Sequence, residues 1–402
     1  MAIGDVFSAS VEGLSLGGRG LLRLGGRSIF MPFTAPGDRV TGKITREKKN
    51  WAEAELTELN EGSPLRTKPL CPLWGKCGGC SLQHLSYEAQ LEAKKTMLLD
   101  TLKHIGGFNG PEAGGLPELK VTGSRPWEYR NRVSFHTIRA NRGPRAGFKA
   151  RKSSGIVPVG DCPVCDPAIR SLLKTESLVP PPNSDRFTIF ARDPVILGNG
   201  VSRGEIKLLD RTITVEAERF FQSNTELLEQ CAGELRSAAA QAVQRAEPGG
   251  PSGRQAGEGP LMADLYAGIG TFSILLGDLF SGIDLVEENP AALELARHNL
   301  RSYRSRFFPQ TAEKWARRAQ GGYAFILVDP PRQGLSPSLA AWLVSKGAPV
   351  LACLSCEPSS FARDCRLLRE AYTMETLHLY DFYPQTAHIE SLAVFKRKEN
   401  AP

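Results

Sequence analysis

Over roughly the first sixty residues short apolar stretches alternate with glycine turns, as in "VEGLSLGGRGLLRLGGRSIFMPF". Apolar and polar positions alternate within each stretch, which is the period of a half-buried strand. The spacing predicts about five short strands, the content of a small closed barrel. The pattern changes in "SYEAQLEAKKTMLLDTLKHIGG", where Leu91, Met97, Leu98, Leu102 and Ile105 fall on one helical face and Gly106-Gly107 closes it. A helix over 86–106 is expected there. From 118 to about 216 the chain reads mostly as strands, among them "RNRVSFHTI", "RAGFKA", "RFTIFAR" and "IKLLDRTITVEAERFF". A second helix is predicted over 225–244. "EPGGPSGRQAGEGP", residues 247–260, is rich in Gly and Pro and reads as a flexible linker. Beyond it "LMADLYAGIG", "GIDLVEENP", "YAFILVDPPR", "PVLACLSCEP" and "HIESLAVFKR" are apolar runs that end in polar turns. Helical stretches such as 290–302 and 359–371 separate most of them, the alternation of a doubly wound α/β domain.

The pattern therefore predicts a multidomain α/β chain. A small β-barrel occupies 1–62, a central mostly β domain 63–215, and a Rossmann-like domain 216–402; helix 86–106 is the part of the central region that could pack on the last domain. The length of 402 residues suits two to three domains of roughly ordinary size. No apolar run approaches the ~18–20 residues of a membrane span, and "MAIGDVFSAS" lacks the basic and apolar blocks of a secretory signal. A cytoplasmic, monomeric protein without membrane contact is expected.

Charge sharpens the picture locally. The net charge is +7. Between 123 and 152 stand Arg125, Arg130, Arg132, Arg139, Arg142, Arg145, Lys149, Arg151 and Lys152 against the single acid Glu128, with Trp127, Tyr129, Phe135 and Phe148 interleaved. A solvated face would explain the charges alone. Arginines that pair with phosphate beside aromatic planes that stack on bases favour a nucleic acid. Small barrels of the N-terminal kind also often bind oligonucleotides.

The nine cysteines stand at 71, 77, 80, 162, 165, 231, 353, 356 and 365. An odd number without an export signal argues against a disulfide framework. Cys71, Cys77, Cys80 and the distant Cys162 supply four thiolates, which can hold zinc or an iron–sulfur cluster, and their spacing does not choose between them; Cys165, three residues after Cys162, is the alternative fourth ligand.

In "DLYAGIGTFS" a strand ends in a glycine turn that opens a helix. Gly268 and Gly270 fit a dinucleotide turn, but Ser273 stands at the third glycine position. A two-glycine turn here also suits the methionine end of S-adenosylmethionine. Glu287 ends the next strand, where a carboxylate can accept from both ribose hydroxyls. Asp329-Pro330-Pro331 makes a rigid loop at a later strand end. Amino-group methyltransferases use a similar loop to hold an exocyclic amine. Cys356 ends the next apolar strand, and Glu390 starts the final one. A small buried filler is the plain reading of such a cysteine. A thiolate and a carboxylate flanking one base suit methylation at uracil carbon 5. For attack the thiol pKa must be lowered, by the helix that begins near Ser359 or by Arg332.

The residues resemble the RNA uracil-5-methyltransferases, in the iron–sulfur branch that makes 5-methyluridine in 23S rRNA. "CPLWGKCGGCSLQHLSYEAQLEAKK", "WEYRNRVSFH", "CPVCDPAIRSLL", "FFQSN", "DLYAGIGTFS", "VDPPRQGL", "LSCEP" and "HIES" carry the resemblance across nearly the whole chain. It implies a TRAM barrel at the N-terminus, structured RNA as substrate, and a base flipped from its stack. By position it makes Cys356 the nucleophile and Glu390 the proton-abstracting base. Gln222, Tyr266, Glu287 and Asp329 become cofactor-site residues for S-adenosylmethionine, beside Gly268 and Gly270. Thr271 stands where the family often has asparagine. Cys71, Cys77, Cys80 and Cys162 become ligands of a [4Fe-4S] cluster. Cys165 stands where the family tends to have an aliphatic residue, and with Cys231, Cys353 and Cys365 is expected in the core. Ser355-Cys356-Glu357-Pro358 departs from the family's Ser-Cys-Asn-Pro; a charge beside the nucleophile would raise its pKa, so Glu357 is expected to point away. The competing readings are an amino-group methyltransferase with Cys356 inert, tRNA as substrate, and a non-catalytic RNA-binding cluster protein.

Overall fold

The computed structural model describes residues 2–109, 115–139, 143–181, 183–245 and 259–401. The expected linker over 247–260 lies almost wholly outside the described residues, as does Arg142. The chain divides into two compact units, one of 1–98, 125–187 and 383–388, the other of 99–124, 188–382 and 389–402.

The first unit opens with β1 (Val6–Ser10), β2 (Gly13–Ser15), β3 (Arg19–Leu24), β4 (Arg27–Met31), β5 (Arg39–Glu47) and β6 (Trp51–Glu61). Six strands form where about five were expected, because the turn at Leu16–Gly18 splits one glycine-rich stretch into β2 and β3. They pair in the order β1-β5-β6-β4-β3-β2. Alternate residues point inward, and Leu22, Ile29, Met31, Val40 and Ile44 make the core. A buried ion pair ties the loop after β4 to the segment after β6. The Asp38 carboxylate accepts from Arg66 Nε and Nη2 at 2.8 Å each, from Ala35 N at 2.6 Å and from Ser63 N at 2.9 Å. Burial pushes the Asp38 carboxyl up, but Arg66 and the two backbone donors outweigh it and hold the group below its ordinary value.

Helix α1 (Tyr87–His104) matches the predicted helix, and β7 (Leu119–Thr122) follows. Back in the first unit β8 (Arg132–Ile138), β9 (Arg145–Lys149) and β10 (Ile156–Pro158) run antiparallel. Helix α2 (Pro167–Lys174) starts on Asp166, whose side chain accepts from Ala168 N.

Strand β11 (Arg186–Arg192) begins in the first unit and pairs with β12 (Val195–Leu197), and the second unit contains the hairpin of β13 (Arg203–Leu208) with β14 (Arg211–Glu216). After α3 (Thr225–Arg245) come β15 (Leu261–Leu265), α4 (Thr271–Leu276), β16 (Gly282–Val286), α5 (Pro290–Asn299), β17 (Ser305–Phe308), α6 (Ala312–Ala316), β18 (Phe325–Val328), α7 (Pro337–Lys346), β19 (Val350–Ser355), α8 (Pro358–Leu368), β20 (Tyr372–Tyr380) and β21 (Glu390–Arg397). One eight-stranded sheet takes the order β17-β16-β15-β18-β19-β21-β20-β7. Strands β15 to β19 are parallel, and β21 runs antiparallel to both neighbours. The four central parallel strands β15, β16, β18 and β19 are apolar and almost wholly buried, because helices cover both faces of a parallel sheet. Strand β7, read from sequence as part of the central region, is instead the edge of this sheet, parallel to β20.

Candidate active site and cysteine cluster

Parallel strands leave their carboxyl ends at one side of the sheet, and the order reverses at β15, so that side carries the crevice. Tyr266, Gly268, Glu287, Asp329 and Cys356 all follow directly from the ends of β15, β16, β18 and β19. Glu390 reaches the same end from the opposite direction, as the first residue of antiparallel β21.

Beyond β15 the chain turns tightly. Tyr266 and Gly268 have φ of 67° and 54°, and Gly270, at 78°, opens α4. A side chain on Gly270 would run into Leu300, whereas one on Gly268 would meet nothing within 4 Å, so Gly268 faces open space. The Glu287 carboxylate accepts from Gly268 N at 3.0 Å and from Asn289 N at 2.7 Å. Those bonds fix it at the end of β16 with lone pairs to spare. Burial pushes the Tyr266 phenol up, and the nearby Glu313 adds to it. Thr271 is the first residue of α4. The Gln222 Oε1 is buried and has no hydrogen-bond partner among the described residues. An open glycine beside a fixed acid fits the polar end of a nucleoside ligand.

Asp329 takes its backbone N–H to Leu265 O at 3.3 Å, and burial pushes its carboxyl up to about 6. The loop beyond it is stapled to α8. Ser360 Oγ donates to Arg332 O at 2.8 Å, Arg363 Nη2 to Gln333 O at 2.7 Å, and Leu335 N to Asp364 Oδ2 at 2.8 Å. Gly334, at φ 74°, lies against Asp364 so closely that any side chain would overlap the carboxylate. The nucleophile candidate and the Asp329 loop therefore share one anchor.

Cys356 is half-buried, and its thiol is pushed up to about 11. Burial is the main cause; the Glu390 and Asp329 charges add to it, and Arg332 opposes them. The expected lowering by a helix terminus is not found in the resting protein, because desolvation and two acids outweigh one arginine. Glu357 is the N-cap of α8, yet its side chain makes no capping bond; Ser355 Oγ accepts from Glu357 N at 3.3 Å instead.

Three site features escaped sequence reading. Buried Asp264, at the end of β15, accepts from Ser273 Oγ at 2.6 Å and is pushed up to about 7 by burial. The serine that breaks the glycine pattern is its partner. Cys231 on α3 is fully buried, as a core residue should be, but it senses both Asp329 and Glu390. In "FFQSN" Asn224 is an anchor: its Nδ2 donates to Ser124 Oγ at 2.9 Å and its Oδ1 accepts from Leu227 N at 3.3 Å.

The cluster candidates lie in the first unit. Gly78 N bonds Lys149 O at 2.9 Å, Arg151 N bonds Lys76 O at 2.8 Å, and Cys71 N bonds Gln83 Oε1 at 3.1 Å, which pins the cysteine loop to the end of β9. The sulfurs are electrostatic neighbours. Burial raises Cys71, Cys77 and Cys80, the last to about 12, and Cys162 adds to each. Cys162 is drawn down to about 7, chiefly by a hydrogen bond from the Cys165 thiol. The donor set has the right chemistry for a thiolate-bound cluster and sits in one neighbourhood. The expected ligand cage is not assembled: among the described residues no group of three or more His, Cys, Asp or Glu is arranged to hold a metal ion. The Cys162 sulfur is engaged by Cys165, and Cys77 Sγ by Gly79 N at 3.4 Å.

The basic run lies beside these cysteines in the chain. Its one acid, Glu128, is taken up by Arg170, which also holds Asp161. Arg151 stacks over Phe33 at 4.2 Å and Arg130 lies over Tyr383 at 5.8 Å. Among the described residues no helix is long and apolar enough to cross a membrane.

Comparison with known proteins gives consistent likenesses. A family model described as the TRAM domain of tRNA (uracil(54)-C(5))-methyltransferase matches residues 7–65, and one described as tRNA (Uracil-5-)-methyltransferase matches 319–398. An uncharacterized RNA methyltransferase of Treponema denticola is 32% identical over 92% of this chain and 94% of its own. The 23S rRNA (uracil(1939)-C(5))-methyltransferase RlmD of Alkalilimnicola ehrlichii is 29% identical over 98% and 97%. The fold is that of the crystal structure of Pyrococcus abyssi tRNA (uracil-54, C5)-methyltransferase in complex with S-adenosyl-L-homocysteine. That structure aligns at a TM-score of 0.70 and 24% identity over 97% of this chain and 100% of that one.

Proposed function

The chain belongs to the RNA methyltransferases, in the uracil-5 family with an N-terminal TRAM domain, and from that membership we propose that it methylates carbon 5 of a uridine in 23S rRNA through a covalent adduct on Cys356. The observation that carries the chemistry is the electrostatic meeting of Cys356 with Glu390 and Asp329 at the carboxyl end of the sheet.

Carbon 5 of uracil is a poor nucleophile. Cys356 Sγ bonds to carbon 6 and makes carbon 5 electron-rich. S-adenosylmethionine, when bound, supplies the electrophilic methyl group. Glu390 then takes the carbon-5 proton, and the Sγ–carbon-6 bond breaks to release 5-methyluridine and the Cys356 thiolate. Glu287 would accept hydrogen bonds from the ribose hydroxyls, Gly268 would leave room for the methionine end, and Tyr266, Thr271, Gln222 and Asp329 would hold the rest of the cofactor. Arg332 is the cation that favours the attacking thiolate. A [4Fe-4S] cluster on Cys71, Cys77, Cys80 and Cys162 belongs to the same proposal, as a staple for the loop that follows the barrel.

Full-length likeness to 23S rRNA enzymes favours ribosomal RNA; the family descriptions name tRNA, which makes tRNA the second reading. The purified protein, given 23S rRNA and tRNA in turn, is expected to yield 5-methyluridine in 23S rRNA on nucleoside mass analysis. Methylated guanine or adenine would sink the carbon-5 chemistry, and product confined to tRNA would move the substrate. RNA carrying 5-fluorouridine, from which no carbon-5 proton can leave, should trap a denaturant-resistant adduct on the wild type and none on Cys356→Ala.

A further inference from the structure

Cys165 has no task in the methyl transfer, yet it is placed against Cys162. The segment Cys162-Pro163-Val164-Cys165 is a turn closed by Cys165 N donating to Cys162 O at 2.9 Å. Such a turn keeps its first and last Cα within about 7 Å, close to the spacing a disulfide spans. Two further bonds pin it from one neighbour: Arg130 N to Val164 O and Asp166 N to Arg130 O, both 2.9 Å. The two thiols perturb each other's ionisation, as neighbours across so tight a turn do. Cys165 is fully buried, whereas Cys162 is partly open to solvent. That asymmetry gives one thiol an outside reagent can reach and one that only its neighbour can reach.

We propose that Cys162 and Cys165 form a redox-active dithiol that closes to a disulfide when met by a low-molecular-weight disulfide. The Cys162 sulfur attacks the reagent and releases one thiol; the Cys165 sulfur then attacks the mixed disulfide and releases the second. One S–S bond forms in the protein as one breaks in the reagent, and the two protons leave on the released thiols. Cys162 is also the fourth ligand of the proposed cluster, so disulfide and cluster exclude each other; this competition, unlike the dithiol itself, rests on the cluster reading.

The test equilibrates the full-length protein, stripped of iron by a chelator, with mixtures of reduced and oxidised glutathione. Alkylation, digestion and peptide mass analysis follow. A linked Cys162–Cys165 peptide is expected that titrates with the glutathione ratio. It vanishes in Cys165→Ala, where Cys162 should carry bound glutathione for at least about tenfold longer, because no second thiol resolves it. Should that variant not fold, the wild-type linkage decides alone. Recovery of both cysteines as free thiols under strongly oxidising ratios overturns the proposal, as does linkage of Cys162 mainly to Cys71, Cys77 or Cys80. Reconstitution with iron and sulfide, read by bound iron and visible absorbance, should suppress the linked peptide. Protein that forms the linkage but takes up no iron upholds the dithiol and sinks the cluster.

Discussion

Cys356 illustrates how one residue's environment sets its chemistry. Held up to about 11, its thiol is ionised in only about one molecule in ten thousand near pH 7. Alkylation of the free protein by iodoacetamide at Cys356 should therefore rise about tenfold per pH unit through the neutral range. Glu390→Gln removes a charge that raises the thiol, so its alkylation midpoint should fall; Arg332→Gln removes the opposing cation, so it should rise. Equal midpoints in all three proteins would show that these charges do not govern the thiol. In turnover Cys356→Ala should cost at least about a thousandfold in kcat, the scale of losing a covalent nucleophile. Glu390→Gln should let the adduct accumulate, because the carbon-5 proton then has no acceptor.

Between elements, the short bonds from α8 to the loop after β18 set the site's precision. Gly334→Ala would need a positive φ and would overlap Asp364. A cost of at least about 1–3 kcal/mol in stability is expected from the strain alone. The loop would move, so kcat should fall further than the melting temperature suggests; unchanged kinetics would separate the staple from the site. In the barrel Asp38→Ala leaves Arg66 beside an empty buried place, which should cost about 3–5 kcal/mol. The Asp38 carboxyl is depressed in the folded protein, so its stabilisation is present above the unfolded value near 3.9 and is lost as pH falls through the folded value. Acid unfolding of the Asp38→Ala barrel should lack that component. The capping of α8 shows an element tolerating a poor residue: Glu357 makes no side-chain cap, and Pro358 with the Ser355 and Ser360 hydroxyls secures the first turn.

At the scale of the whole molecule the net charge of +7 says less than where the charge lies. With nine basic residues against one acid the run from 125 to 152 is positive, and Arg170 takes up that acid. Arg151, stacked on Phe33, offers a cation and an aromatic plane together. Arg151→Ala should weaken RNA binding and reduce the salt-dependence slope by about one contact. An unchanged slope would place Arg151 outside the RNA path.

Element types for the strongly periodic stretches were legible in the chain: α1, α3 and the alternation after 260 follow from spacing alone, because local periodicity reports which face is buried. The motif-bearing strand ends were legible too, since glycine, proline and charge at the end of an apolar run mark a turn. Tertiary structure alone decided that β7 forms an edge of the large sheet, that six strands rather than five build the N-terminal sheet, and that Ser273 serves Asp264. It alone decided that Gly334 is an anchor, that the Cys356 thiol is pushed up rather than down, and that Cys162 faces Cys165. Each of these depends on a partner brought near by folding. A pKa, a staple or a thiol pair is set by what surrounds a residue in space, and no period along the chain records that.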